Sequence, residues 1–171
     1  MSDVQIKGLA ELQKALEQLP AKVEANIMRA ALRAGAKVIA AEAKQGVNSV
    51  SGDLAASVRY GAKIDKRDGK VEAYIRAGGK AKKNRNNVYY AHMVENGTVA
   101  HIIKARPPNK MLAIGYAQVQ HPGSRKRPFM RPAMDTKAQS AIEAVREYIR
   151  NRLATKHGIE VAAPVDPEAD E

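Results

Sequence analysis

Apolar residues along this chain change period twice, and the changes divide it into helical ends and a strand-rich middle. Leu9, Leu12, Leu16 and Leu19 recur at near-helical spacing and Pro20 closes the segment, which predicts a short amphipathic helix. From Ala21 to about Gln45 the pattern predicts one long helix, about 25 residues and so roughly 37 Å. It carries two adjacent stripes: Val23, Ile27, Ala30, Ala34, Val38 and Ala41 on one, Met28, Leu32, Gly35 and Ile39 on the other. A fully buried core helix accounts for two stripes. So does a subunit interface built around Gly35 and the small alanines, and both readings stay open. Gly46 is a plausible stop.

The middle alternates like strands. Gly52 to Ser57 reads as a turn or short helix, with Asp53 able to accept backbone N–H bonds at its start. Val58–Ile64 and Val71–Ala77 are β-prone runs joined by DKRDG, in which Asp68-Gly69 signals a hairpin. The stretch 78–87, GGKAKKNRNN, is too polar and glycine-rich to pack and reads as a mobile basic loop. Val88 to Val94 fits a strand or a short helix, ended by Asn96-Gly97. Thr98–Ala105 and Met111–Tyr116 alternate like a strand pair turned by Pro107-Pro108-Asn109, so four or so antiparallel strands are expected. A final helix begins near Pro132, carries the stripe Ala138, Ala141, Ile142, Val145, Ile149 and Leu153, and ends at Gly158.

The expected fold class is therefore α+β: a long N-terminal and a C-terminal helix packed on a small antiparallel sheet, with mobile basic loops. Length allows one domain over residues 1–159, and composition makes 160–171 a disordered acidic tail, dispensable for folding. With no Trp and one Phe, the monomer has few bulky residues for its core, which favours completing its burial against copies of itself.

Charge and chemistry then narrow the function. The net charge is +11, while Glu160, Asp166, Glu168, Asp170 and Glu171 leave the tail acidic, so the body is more basic than the total. Such a body suits a polyanion such as DNA, or an acidic protein face. The absence of cysteine removes disulfides, thiolate metal sites and thiol catalysis. No segment nears the roughly 20 apolar residues needed to cross a bilayer, and the start MSDVQIKGLAEL lacks an export pattern, so synthesis in the cytoplasm and no membrane contact are expected. Gly79-Lys80 is not a phosphate loop, because Tyr74 and Ala81 stand where a glycine and a Ser or Thr are needed. His92, His101, His121 and His157 lack metal-ligand spacing, no serine sits in a nucleophile elbow, and no carboxylate pair stands apart as an acid/base couple. No catalytic residue, metal site or cofactor is expected.

Two basic clusters remain, Lys80, Lys82, Lys83 and Arg85, then Arg125, Lys126, Arg127 and Arg131. All but Arg131 are candidates for contact with DNA or an acidic partner. Tyr89 and Tyr90 could stack on bases, although VYYAHMV reads better as core packing.

Three segments carry a resemblance. SGDLAASV (51–58) looks like a "TGxLxxS" element, YAHMVENGT (90–98) gives "YAxxxExGT", and RPFMRPA (127–133) gives "RPFxRPA". In this order they resemble the neck and tail-completion proteins of long-tailed bacteriophages, the HK-ninety-seven gp-ten-like tail components, over roughly Val4 to Leu153. The resemblance implies a virion protein of the head–tail junction that assembles into a ring, six copies being the expectation. It implies head-closure or connector proteins, tail terminators and packaged DNA as neighbours. The expected assembly residues are Met28, Leu32, Gly35 and Ile39 on the long helix, Gly52, Leu54 and Ser57, then Tyr90, Glu95, Gly97 and Thr98, then Pro128, Phe129, Arg131 and Pro132. Gly97 and Pro128 would fix loop shape, Phe129 would be the one large apolar anchor, and Arg131 would pair with a carboxylate such as Glu95. A small basic protein binding DNA without sequence preference is the alternative, supported by charge alone.

Overall fold

The computed structural model describes residues 9–17, 19–47, 52–65, 67–80, 87–105, 111–112 and 115–159. Its architecture is α+β. The amphipathic start forms α1 (Leu9–Glu17), and Pro20 leads into α2 (Ala21–Gln45), whose limits match the periodicity. Gly46 ends α2 in right-handed geometry, donating its N–H to the Glu42 carbonyl, and not through the left-handed turn common at glycine stops. A single-turn α3 (Asp53–Ser57) follows.

The hairpin β1 (Arg59–Ile64) and β2 (Val71–Arg76) is antiparallel, with Ile64 opposite Val71 and Lys63 opposite Glu72, whose side chains form an ion pair of 3.0 Å. Gly69 closes its turn at φ +73°, as Asp-Gly predicts. The ends of the expected basic loop pair as β3 (Gly79–Lys80) and β4 (Asn87–Val88); residues 81–86 lie outside the described residues. Tyr90 enters a short helix, α4 (Ala91–Asn96), so the ambiguous segment holds both, a strand residue at Val88 and helix from Ala91. Then β5 (His101–Lys104) pairs with β6 (Gln118–His121), and α5 (Met130–His157) completes the chain.

Two expectations need correction. The strands do not share one sheet but form three separate two-stranded ladders among the described residues. Gly78 and Gly79, at φ +98° and +76°, take the backbone out of the extended region just after β2, so pairing cannot run on. The partner of β5 is Gln118–His121 and not Met111–Tyr116. Of that earlier segment residues 113–114 lie outside the described residues; the Leu112 N–H reaches the Tyr116 carbonyl, the Gly115 N–H reaches the Leu112 carbonyl, and Gly115 sits at φ +86°. Pro107, Pro108 and Asn109, the expected connection, lie outside the described residues.

Two core clusters lie along α2. Ile27 and Ala31, on its first half, pack with Leu12 and Leu16 of α1 and with Ile149 and Leu153 of α5. Ala40 and Ala43, on its second half, pack with Leu54, Val58, Val88, Ala91, Phe129 and Ala133. The start of α5 thus meets the end of α2 and the reverse, so the two long helices run antiparallel. Between the clusters a Cβ on Gly35 would lie 2.7 Å from Val145 Cγ2 and 2.8 Å from the Ala141 carbonyl oxygen, so any larger residue would require the crossing to shift. The β1–β2 hairpin covers α2 from another side.

Candidate functional site

The three motif segments, far apart in sequence, meet at the second core cluster. From the first come Leu54, 1% exposed, and Ser57, fully buried. The Ser57 hydroxyl donates to the Leu54 carbonyl at 2.6 Å and accepts the Gly78 N–H at 3.0 Å, tying α3 to the end of β2. Arg59 secures the next peptide by donating to the Gly78 carbonyl, at 3.1 Å. Ala91 comes from the second segment with Tyr90 packed beside it, and Phe129, 3% exposed, comes with Ala133 from the third.

Glu95 joins the second segment to the third. The first N–H groups of a helix have no partner inside it, and Phe129 cannot cap α5 with its own side chain. Glu95 does so from α4: one carboxylate oxygen accepts the Phe129 and Met130 N–H groups at 2.7 and 2.9 Å, the other the Arg131 N–H at 3.0 Å. Burial pulls the Glu95 carboxyl upward, but the bonds from Met130, Phe129 and Arg131 and the Arg131 charge together prevail, so it titrates below the ordinary glutamate range. The expected pairing of Glu95 with Arg131 thus runs through the backbone N–H of Arg131. At the end of α4, Gly97 has φ +74°, and a Cβ there would lie 2.8 Å from the Ser124 carbonyl oxygen and 2.9 Å from the Lys126 nitrogen. The Arg127 N–H donates to the Val94 carbonyl at 2.8 Å, so the third segment lies along α4.

The expected assembly residues therefore divide. Leu54, Ser57 and Phe129 are buried in the chain's own core, and Gly35 is spent on the α2–α5 crossing. Gly52, Pro128, Arg131 and Pro132 are exposed; Met28, Leu32, Ile39, Tyr90, Glu95, Gly97 and Thr98 are half-buried. Leu32 and Ile39 line an open groove of about 670 Å³ between α2, β2 and α5, whose walls also hold Ile75, Met130, Met134 and Ile142. Of the basic candidates, Arg125, Lys126 and Arg127 are exposed, Lys82, Lys83 and Arg85 lie outside the described residues, and only the backbone of Lys80 is described. Tyr89 is exposed and not core, its ring edge-on to Tyr90 at 6.0 Å.

Two features have no local sequence motif. Cross-strand pairing sets His101 opposite His121 with ring centroids 5.1 Å apart, which residue spacing alone cannot reveal; no set of three metal-ligating side chains surrounds them among the described residues. A basic face on α2, Arg29, Arg33 and Lys37, was readable at i, i+4, i+8 but is hidden to a search for adjacent charges. Among the described residues no helix is long and apolar enough to cross a membrane.

Comparison with known families identifies the class, that of structural components of phage tails. Residues 10–97, just over half of the chain, match the family model described as "Bacteriophage HK97-gp10, putative tail-component", and the chain belongs to that family. The matched span contains SGDLAASV and most of YAHMVENGT and stops before RPFMRPA. No curated protein and no solved structure matches the chain.

Proposed function

We propose that this protein is a virion component of the head–tail junction that works by assembly, closing copies of itself into a ring that joins head to tail without turning over a substrate. Family membership supports a structural role in the tail. The observation that carries the finer reading is the open apolar groove beside Leu32 and Ile39. A second copy has what fills it. Among the described residues the β5–β6 hairpin pairs chiefly with itself, and Ile102 on it and Val99 and Tyr116 beside it are 58%, 83% and 65% exposed. An arm of one copy seated in the groove of the next makes a head-to-tail contact, which repeats and closes into a ring when the rotation allows. Six copies is the expected number. Head-closure or connector proteins and tail terminators are the neighbours of such a ring.

Leu32→Glu and Ile102→Asp test the groove and the arm separately. The expected result is a folded monomer by light scattering and, in phage carrying either variant, full heads beside unattached tails by electron microscopy. Normally joined particles from both variants would sink the reading. Exposed Arg125, Lys126 and Arg127 favour a second reading, contact with DNA phosphates, whose sign is a gel shift that weakens steeply with salt.

A further inference from the structure

On the far side of α2 from the apolar groove lies a cationic one. Arg29, Arg33 and Lys37 line it together with Tyr60, Tyr74 and Tyr148, around a volume of about 480 Å³. Successive helical positions i, i+4 and i+8 spread the three charges over about 12 Å. Two guanidinium groups lie over tyrosine rings, Arg33 over Tyr60 at 5.9 Å and Arg76 over Tyr74 at 4.6 Å, which holds cations at the rim. A second hollow of about 300 Å³ shares Arg29, Ala30 and Tyr148 with the first and adds Arg152 and His157. No Asp or Glu lines either hollow, and among the described residues none of Arg29, Arg33, Lys37 or Arg152 is in an ion pair.

The second hollow, which adjoins the groove at Arg29, Ala30 and Tyr148, lies where the described chain ends. His157 belongs to its lining, Gly158 turns the chain at φ +64°, and the Gly158 and Ile159 N–H groups both reach the Leu153 carbonyl, with Ile159 packed on the first core cluster. Beyond it, residues 160–171 carry five carboxylates and no cation. Twelve extended residues reach about 40 Å, several times the length of the basic row. We infer that the groove along Arg29, Arg33 and Lys37 is a binding site for a carboxylate-rich peptide, and that its occupant is this chain's own C-terminal segment. Each exposed charge contact is weak and screened, so the segment docks reversibly at low salt without being required for folding, and while docked it shields the basic face from other polyanions. The inference does not depend on the assembly reading.

The chain has no cysteine, so Ala169→Cys gives one attachment point for a nitroxide and leaves every tail carboxylate in place. In isotope-labelled full-length protein the expected result is paramagnetic broadening of the Ala30, Ala34 and Tyr60 amides at low salt. Broadening should be lost in about 0.5 M salt, where screening acts within a few ångströms, and in the Arg29→Glu, Arg33→Glu, Lys37→Glu variant. A mixture of labelled chain without nitroxide and unlabelled chain with it should show none. Absence of broadening in the first sample, or its survival in high salt, overturns the proposal; broadening in the mixture means that the occupant is a neighbour's segment, and overturns it too. Deletion of residues 160–171 should raise affinity for a short DNA duplex several-fold, and an unchanged affinity would remove the shielding claim. Should the triple variant not fold, the salt arm on the unmodified groove decides.

Discussion

The carboxylate of Glu95 accepts the backbone N–H of Phe129 at 2.7 Å, across 34 residues of sequence. One side chain thereby caps α5, sets the direction in which it leaves the core, and binds two of the three motif segments together.

Glu95→Ala leaves the first N–H groups of α5 without their acceptor, and lost caps cost about 1–2 kcal/mol. Because the folded-state carboxyl titrates below the ordinary glutamate value of 4.5, its contribution is present above that value and disappears as pH falls through the depressed one. Denaturant midpoints of wild type and variant should differ fully at neutral pH and converge in acid. A constant gap down to the lowest pH at which both still fold would show that the charge plays no part.

Phe129→Ala removes the one aromatic among the buried residues of the second cluster, and truncation of a buried Phe costs about 3–5 kcal/mol. We expect a melting temperature lower by roughly 2–4 °C for each kcal/mol, together with failed head–tail joining. Phe129→Leu keeps most of the volume and should lose well under half as much. A variant Phe129→Ala that is both stable and infectious would refute the assignment.

Gly35→Ala sets two effects against each other. Alanine favours a helix over glycine by about 1 kcal/mol, but its Cβ would press on a backbone oxygen of α5 at 2.8 Å, which moves only if the helix does. Overpacking of this kind costs about 1–3 kcal/mol. Net destabilisation by thermal melting is the expected outcome, and a gain in stability would mean that the two helices separate easily.

Gly97→Ala should be costlier for its size than an ordinary surface change, since it adds strain at φ +74° to a clash with the Ser124 and Lys126 backbone. Amide exchange in β5 and β6 should quicken, because Gly97 precedes the Thr98–Ser124 bridge at the base of that hairpin. Unchanged protection there would show that the hairpin does not depend on this turn.

How much of this was readable depended on whether the signal was local. The limits of α2 followed from two apolar stripes between Pro20 and Gly46, and the β1–β2 turn from Asp68-Gly69. By contrast β6, QVQH, has one apolar residue, so alternation pointed instead to the more apolar Met111–Tyr116. Glu95 could be suspected as a partner of the third segment, but not as a helix cap, because a cap supplied from another helix leaves no pattern around Phe129. The motif residues stand out in sequence, but sequence does not show that Leu54, Ser57 and Phe129 are buried in this chain's own core. The cationic face of α2 is present in the sequence only as i, i+4, i+8 spacing, which places no two of its charges side by side.

The antiparallel pairing of α2 with α5 has a consequence for biosynthesis. Both core clusters draw on each helix, so neither can close until the ribosome has released residues beyond 129 for one and beyond 149 for the other. A nascent chain that has emerged only through Gly97 displays the apolar side of α2 with nothing from α5 to cover it. Settling of the fold is therefore a late event in translation, and a message cut short ahead of α5 yields a sticky fragment, material for chaperones and proteases and not a smaller working subunit.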